Sequence, residues 1–513
     1  MRFRFLFIGF ISINKHTIMN DKVRVRMAPS PTGLLHIGSL RTALYDFLIA
    51  RKNSGTFVLR IEDTDQNRLV PGAIENIIQT LSDFSLTPDE GFVMEDGKIK
   101  EVGQFGPYLQ SKRLEIYSRY AKELLTKKKA YYCFCTPQRL DELRKQQEAQ
   151  KLPPRYDKFC LKLSGEEVQA KLAAGESAVI RLNVEPGHMV AFDDLVFGRI
   201  EISTSEIDDQ ILIKSDGFPT YPMAVVIDDH LMEITHITRG DEFISSTPKH
   251  ILLYEAFGWE IPKFVHFPPV LSKTTKKKLS KREGDVSVQS FLDKGYLKPA
   301  ILNFLAFLGW SPKSEQEIFS LLELVQEFSI DRLHKAGAIF DLDKLDWFNS
   351  TYIRNLKIEE LFALTLHYLT EAGFETEKYP KAFLEQILSL EQSRLTKLSE
   401  IGERVAYFFR QPEYDASLLI WKKSEPQTIQ ANLLKLSEYL KTGDASETAI
   451  KQFIEERQLK TGEVLWPLRA ALSGLTASPG PFEIMETFLI LPNGREIILQ
   501  RLDQALQKIT GMI

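Results

Sequence analysis

The first hundred residues alternate between strand patterns and helix patterns, and this alternation limits the fold more than any other feature. Strand-like runs at 23–27 and 56–61 enclose an amphipathic run at 37–52, and apolar residues at helical spacing follow over 74–81. Strands that alternate with helices pair in parallel, because each helix returns the chain to the same edge of the sheet. The sequence therefore predicts a parallel α/β sheet, and we assign its first half to 23–105.

The alternation is interrupted over 106–214. Charged helix patterns at 111–128 and 137–151 take its place, together with a short strand pattern at 178–183. This change of pattern indicates an inserted α+β domain.

The α/β pattern returns over 215–272. We predict a buried strand at 225–227, a helix at 247–257 with Thr247 as its N-cap, and a strand at 264–271. These elements would complete the parallel sheet.

After about residue 295 the patterns are almost wholly helical. Apolar residues three and four apart recur over 358–370, 382–409, 445–457 and 497–509. This spacing is typical of helices that bury one face. We assign 273–355 to a domain that follows the sheet and 356–513 to an all-α bundle.

Composition limits the class of protein. With 513 residues the chain is long enough for about three or four domains. Hydrophobic residues make up 43% and charged residues 26% of the chain, which excludes a disordered chain and a membrane bundle. The net charge of -4 gives no general attraction to nucleic acid, so an RNA partner would need local basic patches. Three cysteines, an odd number, favour a reducing compartment, and we expect the cytoplasm.

The N-terminal segment 1–22 carries an apolar run at 3–13. The run is too short to span a bilayer and lacks the small-residue pattern of a cleavage site, so we expect no membrane insertion. Because the strand pattern begins only at Val23, we expect translation to start at Met19. The alternative is a disordered extension that starts at Met1, and in either case we expect the segment to be poorly ordered.

The densest motif is APSPTGLLHIGS at 28–39, between the first strand and the first helix. Gly33 and Gly38 allow the backbone to approach a ligand closely, and the helix that follows points its positive end at a bound anion. His36 is suited to stabilise charge that develops on a nucleotide phosphate. A purely structural histidine is the alternative.

A basic cluster follows the strand predicted at 264–271. Lysines and an arginine crowd 273–282, and the sequence KLSKR at 278–282 is followed by Gly284. This arrangement is typical of a mobile loop that closes over phosphates and stabilises nucleotidyl transfer. The alternative is a solvated charged face.

Together, PSPTGLLHIGS at 29–39 and KLSKR resemble the two signature motifs of the class I aminoacyl-tRNA synthetases, in their glutamyl form. Ser39 stands where the class generally carries a second histidine, as the glutamyl group commonly allows. The resemblance also covers LRIEDTDQNR at 59–68, GPYLQSKRLEIY at 106–117, DGFPTYPMAVVIDDH at 216–230, TRGDEFISSTPKH at 238–250, FDLDKLDWFN at 340–349 and WPLRAALSG at 466–474. It therefore spans nearly the whole chain from Val23.

The resemblance implies a fold and a reaction. The expected fold is a Rossmann-type α/β catalytic domain with an acceptor-binding domain inserted at 106–214, a stem-contact domain at 273–355 and a helical anticodon-binding region at 356–513. The expected reaction is the ATP-dependent activation of L-glutamate and its transfer to tRNA(Glu). The resemblance further implies a monomer that binds Mg²⁺ beside ATP.

Residue roles are implied by the same resemblance. His36 and Lys281 are the expected catalytic residues. The expected ATP site comprises Pro29, Ser30, Gly33, His36, Gly38, Ser39, Lys278, Leu279, Ser280, Lys281 and Arg282. L-Glutamate is expected to bind Arg26, Ser30, Glu62, Tyr221 and Arg239, and the RNA is expected to bind Gly240, Asp241, Glu242 and Arg394.

An acidic amino acid suits this set of residues. The planar fork of arginine binds a carboxylate bidentately, and an ammonium group suits the fixed carboxylate of Glu62. An alternative stays open for two of these residues. Glu62 could be only a structural ion-pair partner, and Arg394 could be an ordinary exposed helix arginine.

The three cysteines cluster within the inserted domain, as Cys133-x-Cys135 and Cys160. Thiolates at this spacing suit tetrahedral zinc, which needs a fourth ligand. Tyr156 resembles a tyrosine ligand of some relatives, whereas Lys162 stands where other relatives carry a histidine. The alternative is a set of reduced cysteines that holds no metal.

Three functions are weighed: a glutamyl ligase, the related glutaminyl ligase and a noncatalytic RNA-binding protein. The intact residues Arg26, His36, Glu62 and Lys281 weigh against the noncatalytic protein. Arg239 and the helical C-terminal region weigh against the glutaminyl group, which typically ends in β-barrels. The helical region also weighs against a shortened paralogue that glutamylates a base within tRNA.

Overall fold

The computed structural model describes residues 22–279 and 286–513, which form two compact units. Within the described residues, unit 1 comprises 22–33, 42–268 and 325–335, and unit 2 comprises 34–41, 269–279, 286–324 and 336–513. The N-terminal segment 1–21, for which we predict an extension and a start at Met19, lies outside the described residues. No described helix combines the length and the apolar character that crossing a bilayer requires.

The helices and strands alternate in the first part of the chain and become wholly helical in the last part. The first elements are β1 (Arg24–Met27), α1 (Ile37–Lys52), β2 (Thr56–Leu59), α2 (Ala73–Asp83), β3 (Glu90–Glu95) and β4 (Lys98–Val102). There follow α3 (Leu114–Thr126), β5 (Ala130–Cys133), α4 (Pro137–Ala149), α5 (Gly165–Ala173), β6 (Val179–Leu182), β7 (Met189–Asp194), β8 (Gly198–Ser203) and β9 (Ile211–Ile213).

The chain continues with α6 (Tyr221–Leu231), β10 (His236–Gly240), α7 (Thr247–Phe257), β11 (Lys263–Phe267) and β12 (Val270–Ser272). Next come α8 (Val288–Asp293), α9 (Lys298–Ala306), α10 (Leu321–Glu327), β13 (Ala338–Phe340) and α11 (Leu342–Arg354). The last elements are α12 (Ile358–Glu371), α13 (Lys381–Gln392), α14 (Ile401–Phe409), α15 (Pro426–Leu440), α16 (Glu447–Glu456), α17 (Thr461–Ser473), α18 (Pro481–Leu489) and α19 (Gly494–Thr510).

A parallel sheet forms the centre of unit 1. β1 pairs in parallel with β2, β2 with β3, and β10 with β11. The two halves meet where Thr235 N donates to Arg24 O at 3.0 Å, at the amino ends of β10 and β1. All four residues of β2 are buried, as expected of a strand covered on both faces. The carboxyl ends of β1, β2, β10 and β11 therefore lie at one edge, where Rossmann-type sheets bind their ligands.

The inserted part of the chain forms a sheet of its own. β5, β6 and β9 pair antiparallel, and α3, α4 and α5 accompany them in sequence. β7 instead pairs with β11 of the parallel sheet and carries β8 at its edge. The main sheet thus draws two strands from 106–214, and the domain boundaries given above stay a prediction.

Unit 2 contains a short parallel pair, β12 with β13, and a helical region. From 358 to 510 every described regular element is helical, and α15, α17 and α19 pack together through buried residues such as Leu433, Leu468 and Leu502. The predicted fold class, a parallel α/β sheet followed by an all-helical region, is confirmed.

The strand predicted at 225–227 is wrong, because these residues lie inside α6. Their apolar run is buried throughout, and a short apolar run does not distinguish a buried strand from a buried helix. Thr220 at the N-cap and Pro222 in the first turn are the start signals that favour a helix. Thr247 is not the N-cap of α7 either, since Ser246 holds that position.

Two other predicted elements are each divided in two. The strand predicted at 264–271 becomes β11 and β12, because the two prolines between them cannot donate to a strand partner. The helix predicted at 382–409 becomes α13 and α14. Between these helices Leu398 N donates to Gly295 O at 3.1 Å, a contact within unit 2 that replaces a helical hydrogen bond.

We predict that Gly91→Ala destabilises unit 1 strongly. Gly91 of β3 has a φ of +100°, and an added Cβ would lie 1.9 Å from Leu59 O of β2. Backbone strain and the clash together should lower the free energy of unfolding by about 3 kcal/mol. Urea unfolding followed by circular dichroism measures this change.

Gly97→Ala is the matched control. Gly97 has a φ of +70° in the turn between β3 and β4, and nothing lies within 4 Å of an added Cβ. Only the backbone strain applies there, so we expect a loss of about 1 kcal/mol. Equal losses in the two variants would contradict the close approach at Gly91.

Candidate active site

A network of buried charges lies at the carboxyl ends of β1 and β2 in unit 1. Arg26 binds Asp229 of α6 bidentately. Its Nε donates to Oδ1 at 3.0 Å, and its Nη2 donates to Oδ2 at 3.2 Å. Arg60 donates to the same Asp229 Oδ1 at 2.7 Å and to Glu62 Oε1 at 2.9 Å. These two arginines and two carboxylates are connected, and Arg60 Nε also lies 3.8 Å from Oδ2 of the buried Asp228.

Arg26 is already paired within the protein. Its remaining nitrogen, Nη1, donates to Thr238 O of β10 at 3.1 Å. Although burial opposes both charges, the pKa of Arg26 is held above its ordinary value by Asp229, and the pKa of Asp229 is held below its ordinary value by Arg26 and Arg60. The fork of Arg26 is therefore occupied, and in this conformation it does not stand open for bidentate binding of a substrate carboxylate.

Glu62 follows β2 and is fixed by its own N–H, which donates to Pro29 O at 3.0 Å. Arg60 is its ion-pair partner, as the structural alternative requires. Burial nevertheless raises the pKa of Glu62, although Arg60 and Arg26 oppose this rise. An ammonium group beside Glu62 would further favour its charged form.

Arg239, at the carboxyl end of β10, is 6% exposed and has only uncharged hydrogen-bond partners. Nε donates to His266 Nε2 at 3.1 Å, Nη1 pairs with His250 Nδ1 at 3.1 Å, and Nη2 donates to Thr247 Oγ1 at 2.7 Å. Burial lowers the pKa of both histidines, which keeps the rings neutral and able to accept these bonds.

No carboxylate of the described residues lies within 4.0 Å of the Arg239 nitrogens. Burial lowers the pKa of Arg239, because its charge is removed from water without a direct counter-ion. Tyr221, the first residue of α6, is near it, and burial raises the pKa of that phenol, so its hydroxyl stays a neutral donor. This pair of donors favours an anionic ligand.

The motif at 28–39 divides between the two units. In unit 1, Thr32 N donates to Ser30 O at 2.9 Å and tightens the turn, while Ser30 itself is exposed. Gly33 has a φ of +137°, a conformation that only glycine adopts without strain.

In unit 2, His36 precedes α1 and is held by backbone contacts. Gly38 N donates to His36 Nδ1 at 2.9 Å, which places the proton of the neutral ring on Nε2. Ile37 N donates to Val286 O at 3.0 Å, and Ser39 N donates to His36 O at 2.9 Å. The first N–H groups of α1 therefore donate to acceptors within the protein. An anion near this end of the helix would be stabilised by the helix dipole rather than by these N–H groups.

The expected ATP-site residues Ser280, Lys281 and Arg282 lie outside the described residues. On the near side of this segment, Leu279 N donates to Val270 O at 2.8 Å and Lys278 is exposed. On the far side, Ser287 forms an antiparallel bridge with His36. The first described residues after this segment therefore lie beside His36, within unit 2.

The residues expected to bind RNA lie in both units. Gly240 ends β10, and Asp241 and Glu242 begin the short 3-10 turn that follows. A Cβ at Gly240 would lie 2.1 Å from Glu242 Oε2, so glycine lets that carboxylate fold against the backbone. In unit 2, Arg394 is half-buried and pairs with the buried Glu391, with Nε and Oε2 3.4 Å apart.

The three cysteines and Tyr156 converge in unit 1. The sulfur atoms lie within 4.8 Å of one another, and the Sγ atoms of Cys135 and Cys160 are 3.5 Å apart. Tyr156 Oη lies 3.4 Å from Cys133 Sγ and 3.3 Å from Cys135 Sγ. Thiolates around tetrahedral zinc are about 3.8 Å apart, since each Zn–S bond is about 2.3 Å. The four side chains therefore fit a zinc ion with little movement.

Sequence reasoning missed four residues that form this site: Arg60, Asp229, His250 and His266. Signals for some of them exist. Asp229 ends an apolar run that a buried helix would contain, and His266 interrupts the apolar strand KFVHF. A polar side chain inside such a run is buried and must find a partner.

Comparison with known proteins gives two family matches. Residues 22–347 match the class I tRNA synthetases (E and Q), catalytic domain, and residues 360–506 match an anticodon binding domain.

Individual relatives match over nearly their whole length. The glutamate–tRNA ligase of Alkaliphilus metalliredigens is 45% identical over 90% of this chain and 94% of its own, and that of Finegoldia magna is 46% identical over 95% and 100%. The crystal structure of a glutamate tRNA ligase from Elizabethkingia meningosepticum, in complex with its amino acid, matches 95% of this chain and 100% of its own, with a TM-score of 0.86 and 35% identity.

The thiol cluster generates a prediction about metal content. Burial raises the pKa of the Cys135 thiol to about 11, and a bound zinc ion would convert it to a thiolate. We expect about one zinc ion per freshly purified chain by elemental analysis, and a large loss in Cys135→Ser.

Ser205→Ala, at an exposed position of the same part of the chain, is the control and should keep its zinc. Wild-type protein without zinc would contradict the metal site and favour three reduced cysteines.

Proposed function

The chain belongs to the family of class I tRNA synthetases for glutamate and glutamine, and from this membership we propose the reaction that it performs. It is a glutamate–tRNA ligase. It activates L-glutamate with ATP to glutamyl-adenylate, with release of pyrophosphate, and transfers the glutamyl group to the 3′-terminal adenosine of tRNA(Glu), with release of AMP. The product serves protein synthesis.

Arg239 is the observation that carries the choice of glutamate. Its buried guanidinium lacks a carboxylate partner among the described residues, and the side-chain carboxylate of glutamate supplies one. The neutral amide of glutamine would leave the charge uncompensated, which disfavours the glutaminyl reaction. Tyr221 adds a hydroxyl donor on the same side, and Glu62 suits the substrate ammonium.

For Arg26 we propose an indirect role in binding glutamate. Because Asp229 occupies its fork, Arg26 holds β1, α6 and β10 together. Arg239 is the proposed direct hydrogen-bond donor to the substrate carboxylate. Ser30, exposed in the turn after β1, is proposed to contact the amino-acid end of the substrate.

His36 and Lys281 are proposed to stabilise the ATP phosphates. His36 is held at the start of α1, and the segment that contains Lys281 returns to the described chain beside it at Ser287. The other residues proposed for the ATP site are Pro29, Gly33, Gly38, Ser39, Lys278, Leu279, Ser280 and Arg282. Mg²⁺, when bound with ATP, would neutralise phosphate charge and favour departure of pyrophosphate.

The RNA is proposed to contact both units. The acceptor end would lie near Gly240, Asp241 and Glu242, which follow the arginine that holds glutamate. The helical region matches an anticodon binding domain, and its contacts would be stacking and phosphate contacts on single-stranded loop bases. Arg394 is the proposed anticodon arginine, and binding would require it to release Glu391.

We also propose that the enzyme works as a monomer in the cytoplasm, with zinc held by Cys133, Cys135, Cys160 and Tyr156 as a structural ion. Three free cysteines suit a reducing compartment. Light scattering behind a size-exclusion column measures the oligomeric state.

An aminoacylation assay with labelled amino acids is the first test. We expect the wild-type chain to attach glutamate, and not glutamine, to tRNA(Glu) in the presence of ATP. In Arg239→Leu the kcat/KM for glutamate should fall by about 100-fold or more, because the substrate carboxylate loses its buried partner.

Arg199→Leu is the matched control, since Arg199 is an exposed arginine of the same unit, and it should keep full activity. Equal charging with glutamine would contradict the glutamyl assignment. No charging with either amino acid would favour a noncatalytic RNA-binding protein.

Lys281→Ala tests the nucleotide site. Loss of one charge on the transition state should lower kcat by about 100-fold, while the KM for tRNA changes little. Lys277→Ala, at an exposed lysine of the same basic cluster, should behave as wild type. An unchanged kcat in Lys281→Ala would remove Lys281 from the chemistry.

A further inference from the structure

Asp194 and His266 form a buried pair behind the arginine that selects glutamate. His266 lies on β11, next to β10, and both side chains are fully buried. Asp194 Oδ2 lies 2.7 Å from His266 Nδ1, and His266 Nε2 accepts the hydrogen bond of Arg239 Nε at 3.1 Å. A carboxylate, an imidazole and a guanidinium are therefore linked by two successive hydrogen bonds within unit 1.

The carboxylate of Asp194 can only accept hydrogen bonds, and it is saturated with donors. Oδ1 accepts the N–H groups of Val196 at 2.9 Å and Phe197 at 2.8 Å. Oδ2 accepts the N–H of His266 at 3.1 Å together with its ring nitrogen. Facing such an acceptor, His266 must carry its proton on Nδ1, which leaves the Nε2 lone pair for Arg239.

His250, the other histidine beside Arg239, has no such support. Its Nδ1 pairs with Arg239 Nη1, and its buried Nε2 has no hydrogen-bond partner among the described residues. The orientation of His250 thus depends on Arg239, whereas that of His266 is imposed by Asp194. His266 is the fixed point of the cluster.

We propose that Asp194 and His266 are positioning residues for glutamate selection. Asp194 fixes the tautomer of His266, and His266 holds the Nε edge of Arg239, so that the remaining N–H donors of the guanidinium meet the substrate carboxylate. No carboxylate of the described residues lies directly beside Arg239. Asp194 compensates its positive charge indirectly, through the hydrogen-bonded ring of His266. The proposal rests on the proposed function, since it concerns how the same site chooses an anionic amino acid.

Substitution of Asp194 by asparagine keeps the size of the side chain but replaces one acceptor oxygen by an NH₂ group. An amide that keeps its oxygen on the Val196 and Phe197 N–H groups turns its NH₂ toward His266, where it faces the ring nitrogen and also the backbone N–H that Oδ2 accepts in the wild type. The ring then accepts through Nδ1 and carries its proton on Nε2, where it meets the N–H of Arg239 donor to donor. We expect the KM for glutamate to rise by about 10-fold to 100-fold, with the KM values for ATP and tRNA unchanged.

Two replacements of His266 separate hydrogen bonding from packing. His266→Gln keeps an acceptor near the position of Nε2, whereas His266→Leu removes it. We expect His266→Leu to raise the KM for glutamate more than His266→Gln does, with kcat at saturating glutamate within a few-fold of wild type. His236→Gln, at a half-buried histidine that contacts Thr235 instead of Arg239, is the control and should leave the KM unchanged.

A ¹⁵N NMR spectrum of the wild-type chain tests the tautomer in the native protein, so this test does not depend on how a variant folds. With ¹⁵N-labelled histidine, the His266 signals, identified by their absence in His266→Gln, should report a protonated Nδ1 and an unprotonated Nε2 that accepts a hydrogen bond. The opposite tautomer would overturn the proposal, whatever the variants do.

The kinetic outcomes are equally distinct. An unchanged KM for glutamate in folded Asp194→Asn and His266→Leu, or an equal rise in the KM values for glutamate and ATP, would overturn the positioning role while the proposed function stands. A wild-type chain that does not charge tRNA with glutamate would overturn the proposed function, and this proposal with it.

Discussion

The burial of charge at the carboxyl edge of the parallel sheet is the constraint on which the rest of the structure depends. Asp229 of α6 is shared by Arg26 of β1 and by Arg60 directly after β2. Loss of Asp229 would leave the buried charge of Arg26 without a carboxylate partner, at a cost of about 3–5 kcal/mol. Packing of α6 against β1 and β2 therefore completes the network, and Arg60 also holds Glu62.

We propose that the contrast between two buried arginines gives the site its specificity. Arg26 and Arg239 lie at the ends of neighbouring strands, and both are almost fully buried. Arg26 is neutralised by Asp229, whereas Arg239 meets only histidine and threonine acceptors. A substrate carboxylate can therefore improve the surroundings of Arg239 but would have to compete for Arg26. In this proposal, selection of an acidic side chain follows from the difference in pairing, rather than from the number of arginines.

The sequence predicted those features that local chemistry determines. Alternating patterns indicated the parallel sheet, and helical spacing indicated the all-helical region. Both are confirmed, because each element carries its own periodicity. The strand predicted at 225–227 failed, since an apolar run buried on every side has no periodicity to read. The break between α13 and α14 was equally hidden, because the hydrogen bond that Leu398 N makes there goes to Gly295, which is distant in sequence.

The sequence predicted only some members of the site, and it did not predict how they pair. The motif residues Arg26, Glu62 and Arg239 were found through a family resemblance, and their roles stay a proposal. Their partners Asp229 and His266 come from parts of the chain that are distant in sequence, so no local spacing links them. Only the fold shows that Arg26 is paired with a carboxylate while Arg239 has none beside it among the described residues.

The most direct test of this account is a comparison of two stable adenylate analogues that differ only in the amino-acid side chain. Calorimetric titration of the wild-type chain with a glutamyl sulfamoyl-adenosine and a glutaminyl sulfamoyl-adenosine measures the preference of the site itself. If Arg239 selects an anion, the glutamyl analogue should bind about 100-fold more tightly or better. Equal affinities would contradict the account, because the buried charge of Arg239 would then have no part in the choice of substrate.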